Sequence, residues 1–195
     1  MPSSQTKAGY CWLHPDGCLW KGPESLTHTP KLQKIYPDNE LLFKNILKIR
    51  NAGPELVLRE IAEYKPQEPK RILEHLQDAN ALWKDVDPYT LGLIKRLKIF
   101  PVRQPSQNDD GFVLMSESDD WLIPDDLQRK YFHQDLPLLV FNYDELDDMP
   151  KIKGAFGLNS RKVLATKEVF CEDDSPQLLS LATGRFLDRI RFMSR

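Results

Sequence analysis

The sequence is poor in cysteine and in glycine, and it has no long apolar run. Three cysteines in 195 residues are an odd, sparse set that cannot form a disulfide scaffold. No apolar run approaches the ~20 residues that a membrane-spanning helix needs, and the first residues lack the apolar segment of a secretory signal. We therefore expect an intracellular protein, cytoplasmic or nuclear, without a membrane span.

An excess of one charge sign is also missing. The chain has 27 basic and 29 acidic residues, for a net charge of −2. Domains that bind nucleic acid usually carry a clear basic excess, so we do not expect nucleic acid as a partner. The spacings of phosphate-binding loops, zinc proteases and serine hydrolases do not occur either. These absences predict a chain without a catalytic site and without a cofactor.

The residues that are present favour a folded, helix-rich chain. Hydrophobic residues make up 41% of the sequence, and 15 prolines against 9 glycines indicate many sharply ended elements. Apolar spacing predicts helices over residues 40–50, 54–64, 69–85, 88–97, 124–132, 160–170 and 176–193. Short apolar runs predict strands over residues 99–102, 111–115 and 138–141.

The most informative pattern is a repeated spacing. Residues 20–26 and 121–127 both read W-x-x-P-x-x-L. In this pattern we expect tryptophan to end a hairpin strand, proline to open a helix, and leucine to turn back toward the indole ring. The residues predicted to form these two structural staples are Trp20, Pro23, Leu26, Trp121, Pro124 and Leu127.

The alternative role for the tryptophans is a platform on which a base or a sugar stacks. Core aromatics are commoner than platform aromatics, and no basic groove accompanies these two. We therefore interpret both indoles as buried.

The predicted fold class is α+β, helix-rich, with two related halves. Each half is expected to hold a short antiparallel hairpin and packed helices. The expected division is a disordered lead over residues 1–9, a first half over 10–97 and a second half over 98–195.

The best metal candidate in the sequence is the trio Cys11, His14 and Cys18. Thiolates and imidazoles suit zinc, which prefers four ligands. The trio contains no C-x-x-C pair and defines no fourth ligand, so we predict structural cysteines and no metal site. His75 falls on the polar side of its predicted helix, where we expect it to be exposed.

Two charged features support a competing interpretation. Acidic pairs recur along the chain, as at Asp125 in the second W-x-x-P-x-x-L segment, and paired carboxylates can hold Mg²⁺. Arg185, Arg189 and Arg191 lie on the predicted last helix and form the one locally basic region, a possible interaction site. The commoner explanations are solvated acidic loops and a helix whose basic end complements its macrodipole.

Several segments resemble blocks of large fungal proteins related to sacsin and to plant NO VEIN. The resemblance spans residues 10–170, and its motifs are degenerate. The matching segments are residues 18–26, 32, 36–37, 42–43, 99–102, 121–125, 138–141 and 158–161. Those proteins carry a GHKL-type ATPase domain and long downstream segments, and no position here matches the ATPase glycine and acidic motifs.

The resemblance implies a downstream, non-ATPase segment of a chaperone-like protein. The expected function is a non-catalytic protein-interaction or scaffold module with a protein partner. The alternative is a nucleic-acid-processing enzyme or binder that uses the acidic loops and the Arg-rich C-terminal helix. A third possibility is a regulatory pocket between the halves, lined by both tryptophans.

Overall fold

The computed structural model describes residues 14–84, 86–105, 111–162, 167–170 and 176–179. Within these ranges it combines helices with small antiparallel sheets. The predicted α+β fold class is therefore confirmed. The expected disordered lead, residues 1–9, lies outside the described residues.

Most of the helices begin where the sequence predicts. The α-helices are α1 (Pro54–Tyr64), α2 (Pro69–Leu82), α3 (Pro88–Lys95), α4 (Asp126–Phe132) and α5 (Pro150–Ala155). A π-helix spans Leu41–Ile46, and 3-10 turns span Pro15–Gly17, Leu32–Lys34, Asp144–Leu146 and Leu158–Arg161. Proline opens four of these α-helices because its fixed φ suits the first turn, where an N–H would have no intrahelical partner.

The strands form a three-stranded sheet and a separate ribbon. In the sheet β1 (Phe100–Arg103) lies between β2 (Val113–Met115) and β3 (Leu138–Leu139), and both pairings are antiparallel. The ribbon pairs β4 (Lys167–Phe170) with β5 (Pro176–Leu179), also antiparallel.

The ribbon corrects two predicted helices. Residues 160–170 and 176–193 were expected to be helical, but 167–170 and 176–179 are strands. Val169 and Phe170 are residue types that favour a pleated strand, and pairing satisfies the backbone groups of both segments. The remainder of the predicted last helix lies outside the described residues.

The main hydrophobic core crosses the predicted boundary between residues 97 and 98. It joins Ile72 and Leu76 of α2 to Phe100 of β1, to Ile152 of α5 and to Trp121. Helices α1 and α2 pack against each other, and α2 also contacts α5 and β1. The two predicted halves therefore share one core, and burial of its apolar surface is the main source of their stability.

One side chain also ties the two predicted halves together. Asn80 of α2 accepts hydrogen bonds from the N–H groups of Lys151 (3.0 Å) and Ile152 (3.3 Å) at the start of α5. It therefore caps α5 from 71 residues away in the sequence, a distance too long for pattern analysis. This remote cap accounts for α5 being missed among the predicted helices.

One strand of the predicted first hairpin, residues 10–13, lies outside the described residues, so that hairpin stays a prediction. Residues 15–17 form a 3-10 turn, and Leu19 makes an isolated parallel bridge with Lys31. The N–H of Trp20 donates instead to the carbonyl of Arg50 at 2.8 Å. Gly22 permits this arrangement, since a Cβ there would lie only 3.1 Å from the Cβ of Ala52.

Candidate functional site

Both tryptophans of the repeated spacing are buried, each about 2% exposed. They lie in different hydrophobic clusters. Trp20 packs in a small cluster with Cys18, Leu32, Phe43 and Ile49, whereas Trp121 belongs to the main core. The separation removes the basis for a single regulatory pocket lined by both rings.

The first predicted staple has a different geometry from the expected one. Trp20 stacks on Phe43 with ring centroids 5.7 Å apart, while Leu26 packs into the main core. Residues 23–26 hold a turn and no helix. The Lys31 ammonium closes this turn by donating to the carbonyls of Pro23 and Leu26, both at 2.7 Å.

The second predicted staple is followed by a helix, but Trp121 does not end a strand. The helix starts two residues after Pro124, where Asp125 and Gln128 form a capping box. The N–H of Gln128 donates to the Asp125 carboxylate at 2.7 Å, and the N–H of Asp125 donates to the Gln128 side-chain oxygen at 2.9 Å. Asp125 thus has a structural partner on its own helix. The side chain of Leu127 lies outside what the structure describes.

Trp121 is held by three kinds of contact. Its indole N–H donates to the carbonyl of Ser116 at 2.8 Å, and its ring lies 4.8 Å from that of Phe100. The Arg161 guanidinium stacks 4.3 Å above the ring and donates to the carbonyls of Glu117, Asp119 and Trp121. These bonds join Trp121 to the turn before it, which is a structural role.

The metal candidates do not converge in the part of the chain that is described. The Cys18 thiol is buried and lies 3.3 Å from the carbonyl of Pro15, and burial raises the pKa of that thiol. His14 is exposed and lies 3.1 Å from the Asp16 carboxylate. Cys11 lies outside the described residues. Within the described ranges, no group of three or more His, Cys, Asp or Glu side chains could hold a metal ion.

The interaction residues predicted near the C-terminus, Arg185, Arg189 and Arg191, also lie outside the described residues. Several carboxylates of the described acidic clusters accept from backbone N–H groups near them. At one of them the Asp119 carboxylate accepts from the N–H of Ser116 at 2.7 Å and from the Ser116 hydroxyl at 2.9 Å. Backbone and hydroxyl hydrogen bonds from Ser116 lower the pKa of Asp119.

A polar cleft that sequence reasoning missed lies between α1, α2 and residues 24–28. Its volume is about 440 Å³. Its floor holds Glu60 of α1 and His75 of α2, which are 5% and 6% exposed. The prediction that His75 is exposed is wrong, because α1 and the loop cover the side of α2 that carries it.

Glu60 fixes the loop that follows the Trp20 segment. Its Oε1 accepts from the N–H of Thr27 at 2.8 Å, from the N–H of His28 at 3.4 Å and lies 3.1 Å from His28 Nδ1. Burial acts to raise the pKa of Glu60, but the hydrogen bonds from Thr27 and His28 act against it, and the net result is a lowered pKa. In the sequence Glu60 is one charged residue on a predicted amphipathic helix, where a glutamate is usually exposed. Nothing in the sequence therefore indicated that it holds the loop.

The walls of the cleft are ordered by aromatic and backbone contacts. The His28 ring stacks on the Tyr64 ring at 3.6 Å and 6°. His75 Nδ1 lies 2.7 Å from the carbonyl of Arg71, one turn earlier in α2. Both imidazoles are therefore held in defined orientations.

A second surface feature is the aliphatic face, which we define as Leu41, Leu42 and Ile46 of the π-helix. Leu41 and Ile46 are 74% and 70% exposed, and Leu42 is 42% exposed. Residues four and five apart are neighbours on a π-helix, so the three side chains lie close together. Phe43 faces the opposite way, into the Trp20 cluster, and fixes the π-helix to the protein.

Comparison with known protein families gives a match over more than half of the chain. The family model described as Domain of unknown function (DUF8348) matches residues 55–165. No curated protein and no solved structure matches the chain. Within the described residues, no helix has both the length and the apolar character needed to cross a membrane. Since the matched residues make up more than half of the sequence, the chain belongs to the DUF8348 family.

Proposed function

We propose that the chain is a non-catalytic protein-interaction module whose aliphatic face binds an acidic, amphipathic segment of a partner protein. The resemblance to downstream segments of sacsin and NO VEIN-like proteins supports a role of this kind in a chaperone-like system. The three sparse cysteines, with a free and buried Cys18, suit an intracellular location.

The observation that carries the proposal is the exposure of Leu41 and Ile46. A folded chain gains free energy by burying aliphatic side chains, and neighbouring large ones left in water mark interaction surfaces. A π-helix is a rare conformation that occurs often at functional sites. Here it turns Phe43 inward and keeps three aliphatic neighbours outside.

The charge around the aliphatic face indicates the chemistry of the partner. Residues 31–50 contain five Lys and Arg residues against two Asp and Glu residues, a net charge of +3. The whole chain has a net charge of −2. Two of these cations have acidic partners outside the range, since Lys34 lies 2.6 Å from Glu24 and Arg50 lies 3.5 Å from Glu55. Lys48, two residues after the π-helix, is exposed. A segment with apolar residues on one side and carboxylates at its edges complements this surface.

The test is a binding titration with a designed peptide. A fluorescent helical peptide carries Leu and Phe on one face and Glu on the other, and its anisotropy is followed as protein is added. We expect saturable binding that weakens with added salt. Leu41→Ser with Ile46→Ser should abolish it, with little loss of folding stability because both side chains are exposed.

The matched control is Tyr89→Ser, which removes an equally exposed apolar side chain from α3 (75% exposed). It should leave peptide binding unchanged. A peptide with Lys in place of Glu should bind at least tenfold more weakly, since like charges then face residues 31–50.

Three results would contradict the proposal. Equal binding by the Leu41/Ile46 double variant would show that another surface carries the contact. Self-association of the wild type that disappears in the double variant would assign the face to a second copy of this chain. Tighter binding of a single-stranded oligonucleotide than of the acidic peptide would support the nucleic-acid alternative instead.

A further inference from the structure

The cleft between α1 and α2 contains a buried nitrogen that lacks a hydrogen-bond partner. His75 has a side chain only 7% exposed, and among the described residues nothing forms a hydrogen bond with its Nε2. Its Nδ1 lies 2.7 Å from the carbonyl of Arg71. A carbonyl only accepts, so Nδ1 carries the proton and Nε2 of the neutral ring is an acceptor.

A second acceptor lies beside this nitrogen. Oε1 of Glu60 is 3.8 Å from His75 Nε2, which is too long for a hydrogen bond between them. Hydrogen bonds from Thr27 and His28 hold this carboxylate in place, and they keep it ionised by lowering its pKa. Oε1 therefore already has donors, and His75 Nε2 beside it is the acceptor that lacks one, so a ligand at this point must bring a donor.

The charge of the cleft favours a cation. Glu24, Glu60 and Glu74 line it, together with one arginine, Arg71. The Arg71 guanidinium lies 3.3 Å from Glu68 and the Lys34 ammonium lies 2.6 Å from Glu24, so the charges of Arg71 and Glu24 are both offset. Glu60 and Glu74 supply the negative charge of the cleft. The stacked rings of His28 and Tyr64 add an aromatic wall, and aromatic faces also attract cations.

We propose that this cleft binds a primary ammonium group, which donates to His75 Nε2 and to Glu60. An alkylammonium has three donors and no acceptor, so it supplies the donor that Nε2 lacks, places its charge beside the Glu60 carboxylate and adds no unpaired acceptor. The volume of about 440 Å³ leaves room for the alkyl chain beside the aromatic wall. The ammonium belongs either to a lysine side chain of a partner protein or to a free alkylamine. This site is separate from the aliphatic face, and its test does not depend on binding there.

The test is a long-range ¹H–¹⁵N spectrum of the histidine side chains at about pH 8, where imidazoles are neutral. One arm adds n-butylammonium chloride, and the other adds Nα-acetyl-lysine methylamide. We expect the His75 Nε2 resonance to move saturably, since its lone pair gains a donor. n-Butanol and tetramethylammonium chloride serve as controls, because the first lacks the charge and the second lacks the donors.

Variants locate the effect within the cleft. Glu60→Gln should raise the Kd for n-butylammonium about tenfold or more, as expected for a lost charge-assisted hydrogen bond. Glu74→Gln, an exposed change that keeps the loop anchored, should raise it about two- to fivefold. Glu63→Gln, on the exposed side of α1, should leave the Kd unchanged.

The two arms identify the source of the ammonium group. Tighter binding of the lysine derivative than of n-butylammonium assigns the cleft to a partner's lysine, and the reverse order assigns it to a free amine. A His75 Nε2 resonance that neither amine moves would overturn the proposal. A shift produced equally by tetramethylammonium, or a Kd that neither Glu60→Gln nor Glu74→Gln changes, would also overturn it.

Discussion

Trp20 and Trp121 stand in the same spacing and reach the same depth of burial, yet their surroundings differ. Trp20 is held by aromatic stacking in a small cluster beside the exposed π-helix. Trp121 sits in the main core under a guanidinium that also binds three carbonyls. In both copies of the W-x-x-P-x-x-L spacing the indole is therefore buried, but residues outside the spacing determine which side chains pack against it.

The residues after each proline explain the difference in backbone path. After Pro124, Asp125 is a good N-cap and Gln128 completes the capping box, so a helix begins. At the matching positions after Pro23, Glu24 is a poor N-cap and Thr27 cannot complete the box. Pro30 would then fall inside the helix, where it removes a hydrogen bond and clashes with the preceding turn.

The largest expected effect comes from truncating each tryptophan in turn. Trp121→Ala should lower the free energy of unfolding by about 3–5 kcal/mol, as for other large aromatic truncations in a core. Trp20→Ala should cost less, because it empties only the small cluster. Denaturant unfolding curves measure both free energies, and hydrogen exchange shows where protection is lost.

The comparison fails if Trp20→Ala costs as much as Trp121→Ala and lowers protection across α2 and β1. That result would mean that the small cluster and the main core unfold as one unit. If Trp121→Ala does not fold, Trp121→Phe gives the same ranking at lower cost, because it keeps an aromatic ring but loses the N–H donor to Ser116.

The next effect concerns the cation above Trp121, which Trp20 lacks among its described contacts. Arg161→Lys should lower the free energy of unfolding by about 1.5–3 kcal/mol, because an ammonium cannot span the carbonyls of Glu117, Asp119 and Trp121. Lys21→Ala, beside Trp20 and exposed, is the control and should cost less than about 0.5 kcal/mol. Thermal and denaturant unfolding measure both variants. If Arg161→Lys lowers the free energy of unfolding no more than Lys21→Ala does, Arg161 is dispensable.

A smaller effect is expected from the N-cap of α4, because a cap of this kind follows Pro124 but not Pro23. Asp125→Ala should cost about 1 kcal/mol, since α4 loses its N-cap. Asp125→Asn should be nearly neutral because asparagine caps as well as aspartate. Circular dichroism during denaturation measures both. A large loss with Asp125→Asn would show that α4 depends on the negative charge at its N-terminus as well as on the cap.

The sequence predicted those elements whose signals are local. Proline at the start and apolar spacing placed both α1 and α3. The structure adds the cap of α3, where the Asp87 carboxylate accepts from the N–H groups of Tyr89 and Thr90. Helix α5 was missed because its cap is Asn80, far away in the chain. The α+β fold class was therefore predictable from the sequence. The predicted duplication into two related halves is not shown.

The candidate sites were less predictable for the same reason. The burial of His75 depends on α1 and on residues 24–28, which no periodicity within α2 reports. The aliphatic residues of the π-helix fit a core stripe in the sequence, and only the structure shows that Leu41 and Ile46 face outward. Helical spacing indicates which residues share a side, but not whether another element covers that side.

The smallest expected effect is the pH dependence of the free energy of unfolding. It arises from one carboxylate near each tryptophan. Glu60 fixes the loop after Trp20 and Asp119 fixes the turn before Trp121, and both have lowered pKa values. In the folded protein each group holds fewer protons than in the unfolded chain, so stability rises with pH across this window. The stabilisation is complete above their ordinary values of 4.5 and 3.8 and is lost as pH falls through the folded-state pKa values.

Unfolding free energies measured from pH 7 down to about pH 3 test this dependence, a range that covers the ordinary carboxylate pKa values. Glu60→Gln should flatten the curve more than Asp119→Asn, because Glu60 is buried and holds two backbone N–H groups. The same curve for Glu60→Gln and wild type would show that Glu60 does not anchor the loop.

The most direct test of the central claim is a map of amide ¹H–¹⁵N shifts upon addition of the acidic amphipathic peptide. The account predicts shifts concentrated in residues 35–50, around the aliphatic face, and their loss in the Leu41→Ser, Ile46→Ser variant. Shifts centred on α3 around Tyr89, or no saturable shifts in residues 35–50, would contradict the assignment of this π-helix as the binding surface.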